Sequence, residues 1–489
     1  MAFYHGVKVS EVPTSILPPV DVAAGIPFIV GTAPQGKVNE PVLCATYADL
    51  VAEFGFVPAE LDAESGLKKY AFSISEFAKS QFGLFGVGPV IVVNVLDTTK
   101  HKKVATTKSI KLDAKTGSVT VAETGILLDS VSVVPATSSA YTKGVDYEMA
   151  LDDNAHLVIT SLKDAQGQFK CAVGEALTFV AEKADASKVT IDEVVGGVNA
   201  QGKKSGFELV DECFPRFRLV PGILLAPGYS GNATVAAIMA AKSANINELF
   251  SCVCLIDVPT DEVKLYSDVP AWKNENNIVD SLQYACWPML KLDDTLYHAS
   301  TQVAGLIGKV DGENDDVPYK SPSNENVQAT ATVLADGTEV FMDKVKADYL
   351  NSQGIATFMN FMNGWVLWGN RTACFPGNTD VKDNFLCIRR MFNWVGNTLI
   401  QTFWQKVDDP TNLRLVQTVV ESCNVMLNGW AARQYILGGR VVMLDSENPK
   451  TDLMNGKIRF HVYITPPSAA EQLEFILEYD PAYVETLFG

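Results

Sequence analysis

The chain is 489 residues long, more than one compact core accommodates, so roughly two to four domains are expected. With 47% hydrophobic and 20% charged residues its composition is globular, which excludes a largely disordered polymer. A formal net charge of -18 opposes contact with a phosphate backbone, where Lys and Arg must displace counterions, and so argues against a nucleic-acid partner.

The amino terminus, Met1-Ala2-Phe3-Tyr4-His5-Gly6, has neither a basic nor an apolar leader segment. Residues 6–12 alternate weakly through Val7 and Val9, then meet Pro13 and the Pro18-Pro19 pair. Proline withholds a ladder donor, so this reads as an edge or isolated strand on a stiff tether. Residues 26–30 form a predicted buried strand and 46–54 a short helix. A longer helix over 67–82 carries Phe72, Phe77 and Phe82, and 89–96 (PVIVVNVL) is a near-continuous apolar strand. At Asp97-Thr98-Thr99-Lys100 the texture changes to Lys, Thr, Ser and Val. Short runs at 118–121, 130–134, 146–151, 157–159 and 177–180, separated by turn residues, indicate a small β-sandwich or barrel. The α/β texture resumes afterwards, so residues 98–204 read as an inserted β-rich domain.

From Arg216 onward a strand at 223–225, a helix at 233–245 capped by Asn232 and a strand at 251–258 follow in order. A further strand at 285–292 precedes a helix near 298–309, and strand-helix-strand order with short turns favours parallel crossovers. In the last region Phe385, Ile388, Phe392, Val395, Leu399 and Phe403 recur at three and four residues and define one face of a helix. Arg390, Asn393, Asn397, Gln401 and Gln405 lie opposite. A second helix is predicted to open with Asp409 as cap and Pro410 at its first position, with Leu413, Val416, Val420, Cys423 and Leu427 in register. Residues 458–464 alternate as a half-buried strand stopped by Pro466-Pro467. Residues 472–479 alternate again, with Leu473, Phe475, Leu477 and Tyr479 on one side. The chain thus begins and ends in a short strand tethered through prolines. Such strands are stable only when another edge completes their ladder, in the same subunit or in a neighbour.

No catalytic, cofactor-binding or metal site is predicted. The longest apolar stretches, 222–226 and 252–258, fall short of the roughly 20 residues needed to cross a bilayer, and a soluble chain made in cytoplasm is expected. Nine cysteines are scattered and mostly flanked by apolar residues, the usage of reduced core thiols; Cys252 and Cys254 share a strand face with no second Cys or His pair beside them. His5, His101, His156, His298 and His461 neighbour no recognised nucleophile motif. The turn Gly228-Tyr229-Ser230-Gly231 lacks both the spacing of a nucleophile elbow and the Lys-Ser/Thr of a phosphate loop, which leaves an ordinary strand-to-helix turn. The acidic run 311–316 does not match the ligand spacing of an EF-hand and reads as a solvated loop. A nucleotide- or sugar-dependent enzyme built on residues 216–309 is the competing expectation from another class.

The run Gly364-Trp365-Val366-Leu367-Trp368-Gly369-Asn370-Arg371-Thr372 resembles the WGNRT-type segment of the tail sheath proteins of contractile-tailed phages. Other segments fall into the same order: Tyr4-His5-Gly6-Val7 with its proline-bearing arm, GIPFIVGTAP at 25–34, and Gly196-Gly197-Val198-Asn199 leading to Lys204-Ser205-Gly206. Phe214-Pro215-Arg216-Phe217 running into 221–228 and the closing strand-Pro-Pro-strand complete the set. The resemblance implies an α/β multidomain subunit: an arm (1–24), an α/β core in two parts (25–97 and 205–372), the inserted β-rich outer domain (98–204) and a tube-facing α+β C-terminal domain (373–489). It implies no enzymatic activity and no cofactor. Subunits are expected to stack as hexameric rings into a helical sheath around a tail tube protein, with baseplate and tail terminator proteins as further partners and no membrane insertion. The terminal strands, through Tyr4, Val7, Val9, Val12, Leu473, Phe475, Leu477 and Tyr479, are expected to be exchanged between subunits. By position, Arg390, Asn393 and Asn397 are the expected tube contacts. The implied place is the virion's contractile tail, with host cytoplasm during assembly; a sheath of a phage-derived bacteriocin or other injection system fits the same residues.

Overall fold

The computed structural model describes residues 22–484, apart from positions 64, 106, 107, 137, 138, 153, 363 and 482. Its centre is an eight-stranded sheet of β1 (Pro27–Gly31), β2 (Val42–Cys44), β3 (Val90–Asn94), β4 (Ile223–Leu225), β5 (Val253–Asp257), β6 (Gln283–Cys286), β7 (Ile355–Phe361) and β8 (Gly364–Trp368). The spatial order is β2-β3-β1-β4-β5-β6-β7-β8. The six inner strands run parallel, and β2 and β8 close the two edges antiparallel. Strands β1, β3, β4 and β5 are buried at every position, which is why they read as unbroken apolar runs: a parallel sheet must be covered on both faces.

Alternate side chains divide between those faces. Phe28, Val30, Val93, Leu224, Cys254 and Ile256 face one core together with Val235, Ala236 and Met239 of α3 (Ala233–Ala244), while Ile29, Val92, Leu225 and Leu255 face the other. That second core is built with α1 (Tyr47–Phe54), α2 (Ser73–Ala78, continued by a wider turn to Phe85) and α4 (Ala299–Gly312). Thr46 and Asp49 form a capping box at α1, and Asn232 caps α3 by accepting from the N–H groups of Thr234 and Val235.

Two predicted elements differ. The helix expected over 67–82 starts only at Ser73, because Lys68–Lys69 are drawn into a small sheet with Glu60–Leu61 and Thr295. The strand expected over 285–292 is two strands in two sheets. Pro288 has no N–H for the ladder, and beyond it Met289–Leu292 pairs instead with Thr295–Tyr297 and Ala331–Val333.

Between β3 and β4 lies a β-rich unit close to the expected one. Ser118–Val121, Tyr147–Leu151 and Leu157–Ser161 form one sheet, and Lys108–Lys111, Ser132–Pro135 and Ala176–Val180 another. They enclose a core of their own that includes Ile110, Leu157, Ile159, Leu177 and Phe179. The unit hangs on a two-stranded stem in which Val104 faces Glu182 and Lys102 faces Ala184. Beyond that stem Val189 and Val194 already belong to the main core.

The carboxyl-terminal layer consists of α5 (Leu386–Phe403), α6 (Leu413–Ala432) and a hairpin of β9 (Gly438–Val442) with β10 (His461–Thr465). Its core joins Met391, Trp394 and Val395 of α5 to Val419, Cys423, Met426, Leu427 and Trp430 of α6, with the Trp394 and Trp430 rings 4.6 Å apart. Helix α6 is capped by Asn412, which accepts from Leu415 N–H at 2.9 Å, rather than by Asp409. Its buried stripe, which includes Val419, Cys423, Met426, Leu427 and Trp430, is rotated from the expected one, and Leu413 is 72% exposed.

Candidate assembly site

Open parallel sheets bind ligands beyond the carboxyl ends of their strands, and a cleft of about 850 Å³ lies there, lined by Gly228, Tyr229, Asn232, Asp257, Thr260 and His298 among others. Several of its polar groups, Asp257, Glu76 and His298 among them, are engaged with one another and with helix ends. Asp257 accepts from the N–H of Ser300 at 2.7 Å and from its hydroxyl at 2.6 Å, and Asp257 N–H donates to Ser230 Oγ at 3.0 Å. Glu76 accepts from His298 N–H at 2.7 Å and from Thr301 Oγ1 at 2.9 Å, and meets His298 Nδ1 at 2.8 Å. Two buried carboxylates thus cap the amino end of α4, the end where helix N–H groups lack partners.

Burial pulls the His298 pKa down, but the facing Glu76 carboxylate and then Asp257 outweigh it and raise the imidazole to about 9 from an ordinary 6.5. A folded-state pKa above the unfolded one stabilises fully below pH 6.5 and is lost as pH rises through about 9. Stability is therefore expected to fall between pH 7 and 9.5 by on the order of 2 kcal/mol, which a decreasing melting temperature over that range would report. A Glu76→Gln variant, scanned over the same range, should be less stable at pH 6.5 and lack that slope.

Helix α5 is where both chain ends are rooted. Near the amino end of the described chain, Trp394 Nε1 donates to Val22 O at 2.7 Å and Arg390 Nη2 to Ala24 O at 3.2 Å. The Arg390 guanidinium is also paired with Asp311 of α4, one contact being 3.0 Å, with the two side chains 3% and 1% exposed. Burial raises the Asp311 pKa and Arg390 opposes that rise. Asn393 Nδ2 donates to Cys252 O at 3.0 Å, while Asn397 bonds Ser251 O at 2.8 Å and Ser251 N–H at 3.1 Å. The polar stripe of α5 thus serves the loop entering β5 and the root of the amino-terminal arm.

The other end leaves from the amino-terminal turn of the same helix. Ala469 packs against Phe385, Cys387 and Ile388. Arg371 Nε donates to Glu471 Oε1 at 2.7 Å, and its second nitrogen meets the other carboxylate oxygen in a bidentate pair. The guanidinium lies over the Phe385 ring at 3.7 Å and faces Phe375 at 4.8 Å. Past this clamp residues 472–480 form no helix or strand, and Leu473, Phe475, Ile476, Leu477 and Tyr479 are between 75% and 95% exposed. Five large apolar side chains in one short segment form an uncovered surface of the kind that marks a partner.

The β9–β10 hairpin is the other exposed β element of this layer. Val441 packs on α6, Val462 and Ile464 beside it stay half-buried, and Arg440 lies over Tyr463 at 4.3 Å on the outer face.

No family model matches the chain. Over 499 aligned positions it is 28% identical to the tail sheath protein of Burkholderia phage BcepMu, an alignment that covers all of this chain and 99% of that protein. It is also 24% identical to a putative prophage major tail sheath protein of Pseudomonas aeruginosa, across 72% of this chain and 92% of the relative. The chain is similar from end to end to a tail sheath protein. Solved sheaths share its fold. The contracted sheath complex of the extracellular contractile injection system PVC superposes with a TM-score of 0.56 at 14% identity, covering 99% of both chains. The helical sheath of the anti-feeding prophage in its contracted state gives 0.55 at 13% identity, covering 97% of this chain and 99% of that one.

Against the sheath expectations, Leu473, Phe475, Leu477 and Tyr479 lie on one exposed segment without helix or strand, whereas Tyr4, Val7, Val9 and Val12 fall outside the described residues. Arg390, Asn393 and Asn397 require correction as sheath tube contacts: they are 3%, 5% and 5% exposed and are used inside the subunit. Their polarity reflects buried backbone groups that need partners, not a wet surface. Two functional features were missed. Arg371 lies inside the WGNRT run, but only its distance to Glu471 reveals a clamp. Strand β9 had a signal in the apolar run Val441-Val442-Met443-Leu444 that follows Gly438-Gly439.

Proposed function

We propose that the chain is the structural subunit of a contractile tail sheath, polymerising around a tail tube and contracting to drive that tube through a cell envelope. The observation that carries this reading is the end-to-end match to a tail sheath protein. The exposed apolar tail and a two-stranded sheet in the same layer supply a physical means of polymerisation. Strand links made by backbone hydrogen bonds survive rotation of the bodies they join, provided their tethers flex. In this reading the amino-terminal arm and residues 472–479 complete ladders in neighbouring subunits, and stacked hexameric rings grow from heterologous contacts. Tail tube, baseplate and terminator proteins are the partners, the virion tail is the site of action, and host cytoplasm is where assembly takes place. No enzymatic step is needed, because an assembled lattice stores free energy as a metastable packing. Negative-stain imaging of the purified protein tests this: long hollow tubes are expected, and compact particles at every concentration would overturn it.

We further assign the β-rich unit as an inserted, separable domain bounded by its stem. Replacing residues 105–181 with an Asn-Gly turn that joins Val104 to Glu182 should leave a folded protein that still forms tubes, since the stem ladder closes as a hairpin. A wider excision, from 98 to 204, removes Val189 and Val194 from the main core and should cost several kcal/mol. Melting curves and imaging of the two shortened proteins compare these outcomes.

A further inference from the structure

We propose that Lys273 is the positioning residue of the carboxyl-terminal clamp: its buried ammonium fixes the turn that carries Phe375, and through that ring it sets the Arg371 guanidinium for Glu471. This deepens the strand-exchange reading and rests on it. Lys273 belongs to the short helix Val269–Glu275 and is 2% exposed. A lysine this deep ordinarily meets a carboxylate, because an unpaired charge is costly to bury. Lys273 meets three carbonyls instead. Its Nζ donates to Gln353 O at 2.7 Å, to Ala373 O at 2.7 Å and to Phe375 O at 3.0 Å, which uses all three ammonium protons.

The acceptors belong to two stretches of chain, the turn before β7 and the turn that follows the Trp368–Thr372 run. The two backbones touch at Gly354, which has a φ of +70° and where a Cβ would stand 2.5 Å from Phe375 O and 2.7 Å from Thr372 O. Carbonyls brought together this closely away from water need a donor among them, and the ammonium is that donor. Burial pulls the Lys273 pKa down to about 8 from an ordinary 10.5, so the group still carries its charge at neutral pH.

The first part of the turn has other anchors. Thr372 N–H bonds Asn384 O at 2.8 Å, and Ala373 N–H bonds Gln283 O at 2.9 Å. Phe375 N–H closes on Thr372 O at 3.2 Å, inside the turn itself, so among the described residues the bond from Lys273 is what fastens the Phe375 backbone to the body of the subunit. The Arg371 guanidinium rests against two rings, Phe385 at 3.7 Å and Phe375 at 4.8 Å. Phe385 is set by the base of α5, where its backbone bridges that of Arg371. Phe375 is set by Lys273. The lysine thus reaches the root of the tail through a carbonyl, a ring and a guanidinium, without bonding Glu471.

Tube assembly in a double-mutant cycle tests this. Lys273→Met should raise the protein concentration at which tubes form by about five- to tenfold, the effect of loosening one cation–ring contact and freeing the tail root. Lys273→Gln, which keeps two N–H donors for the carbonyls, should give a smaller rise and replaces the methionine variant if that one does not fold. Phe375→Leu removes a half-buried ring and leaves the Lys273 acceptors in place, and it should match Lys273→Met while its subunit melts near the parent. In a Glu471→Ala background, where the clamp is already broken, none of these changes should add to the loss. An equally large Lys273 effect in that background would show that the residue only stabilises the core and would overturn the proposal, as would a Phe375→Leu protein that assembles like the parent. A Glu471→Ala protein that polymerises like the parent would overturn the clamp while leaving the sheath reading intact. Absence of tubes from the unaltered protein at every concentration would overturn both.

Discussion

A chain ending at Glu471 should fold and melt like the full-length protein and yet form no tubes. The described residues among those removed are all exposed, Leu477 being 95% and Phe475 84%, so the described cores lose no area and the melting temperature should stay within about 2 °C. The clamp at Arg371 remains in place. On the strand-exchange reading, what is lost is a segment of eight residues that would offer about four ladder bonds to a neighbour. At roughly 1 kcal/mol each, this is on the order of 4 kcal/mol per junction, about a thousandfold in affinity. Sedimentation velocity and differential scanning calorimetry on the same preparation separate the two effects. Unchanged tubes would show that the tail is not a link, and a destabilised subunit would show that it belongs to its own fold.

The second large effect is expected at Arg390. Replacing it with alanine leaves Asp311 buried beside Asp316 without its counter-charge and releases the carbonyl of Ala24, a loss of about 3–5 kcal/mol. The damage should be local to the contact between α4, α5 and the root of the amino-terminal arm. Trp394 and Trp430 pack against each other close by, their rings tilted, so tryptophan emission during denaturant unfolding reports it directly. The double change Arg390→Met with Asp311→Leu removes both charges, and most of the stability should return. If the single and double variants are equally weakened, packing rather than the ion pair holds the junction.

Much of the architecture was legible because its signals are local. The apolar runs of β1 and β3, the Asn232 cap and the short strands of the β-rich unit are set by side-chain pattern and turn residues within a few positions. What misled was non-local. Arg390, Asn393 and Asn397 form a polar stripe whichever way α5 faces, and only the carbonyls of Ala24, Ser251 and Cys252, some 140 or more residues away in sequence, turn that stripe inward. Asp409-Pro410 is a sound helix start on local chemistry, yet Asn412 prevails because burying Val419, Cys423 and Met426 against α5 fixes the phase of α6. The candidate assembly site was half legible: its apolar tail reads from alternation, whereas the Arg371–Glu471 clamp joins residues 100 positions apart.

The nine cysteines are all buried and reduced, and they are spread through every layer: Cys171 in the β-rich unit, Cys44, Cys213, Cys252, Cys254 and Cys286 around the central sheet, Cys374 and Cys387 at the base of α5, and Cys423 in the carboxyl-terminal layer. Burial pushes the thiols of Cys44, Cys252 and Cys423 up to about 12 and that of Cys387 up to about 11, so few thiolates exist near neutrality. The subunit therefore carries its own set of silent reporters. If contraction turns rigid bodies on flexible links, an alkylating reagent present throughout the stroke will modify none of them, and any layer that must open along the way will be named by the cysteine that reacts.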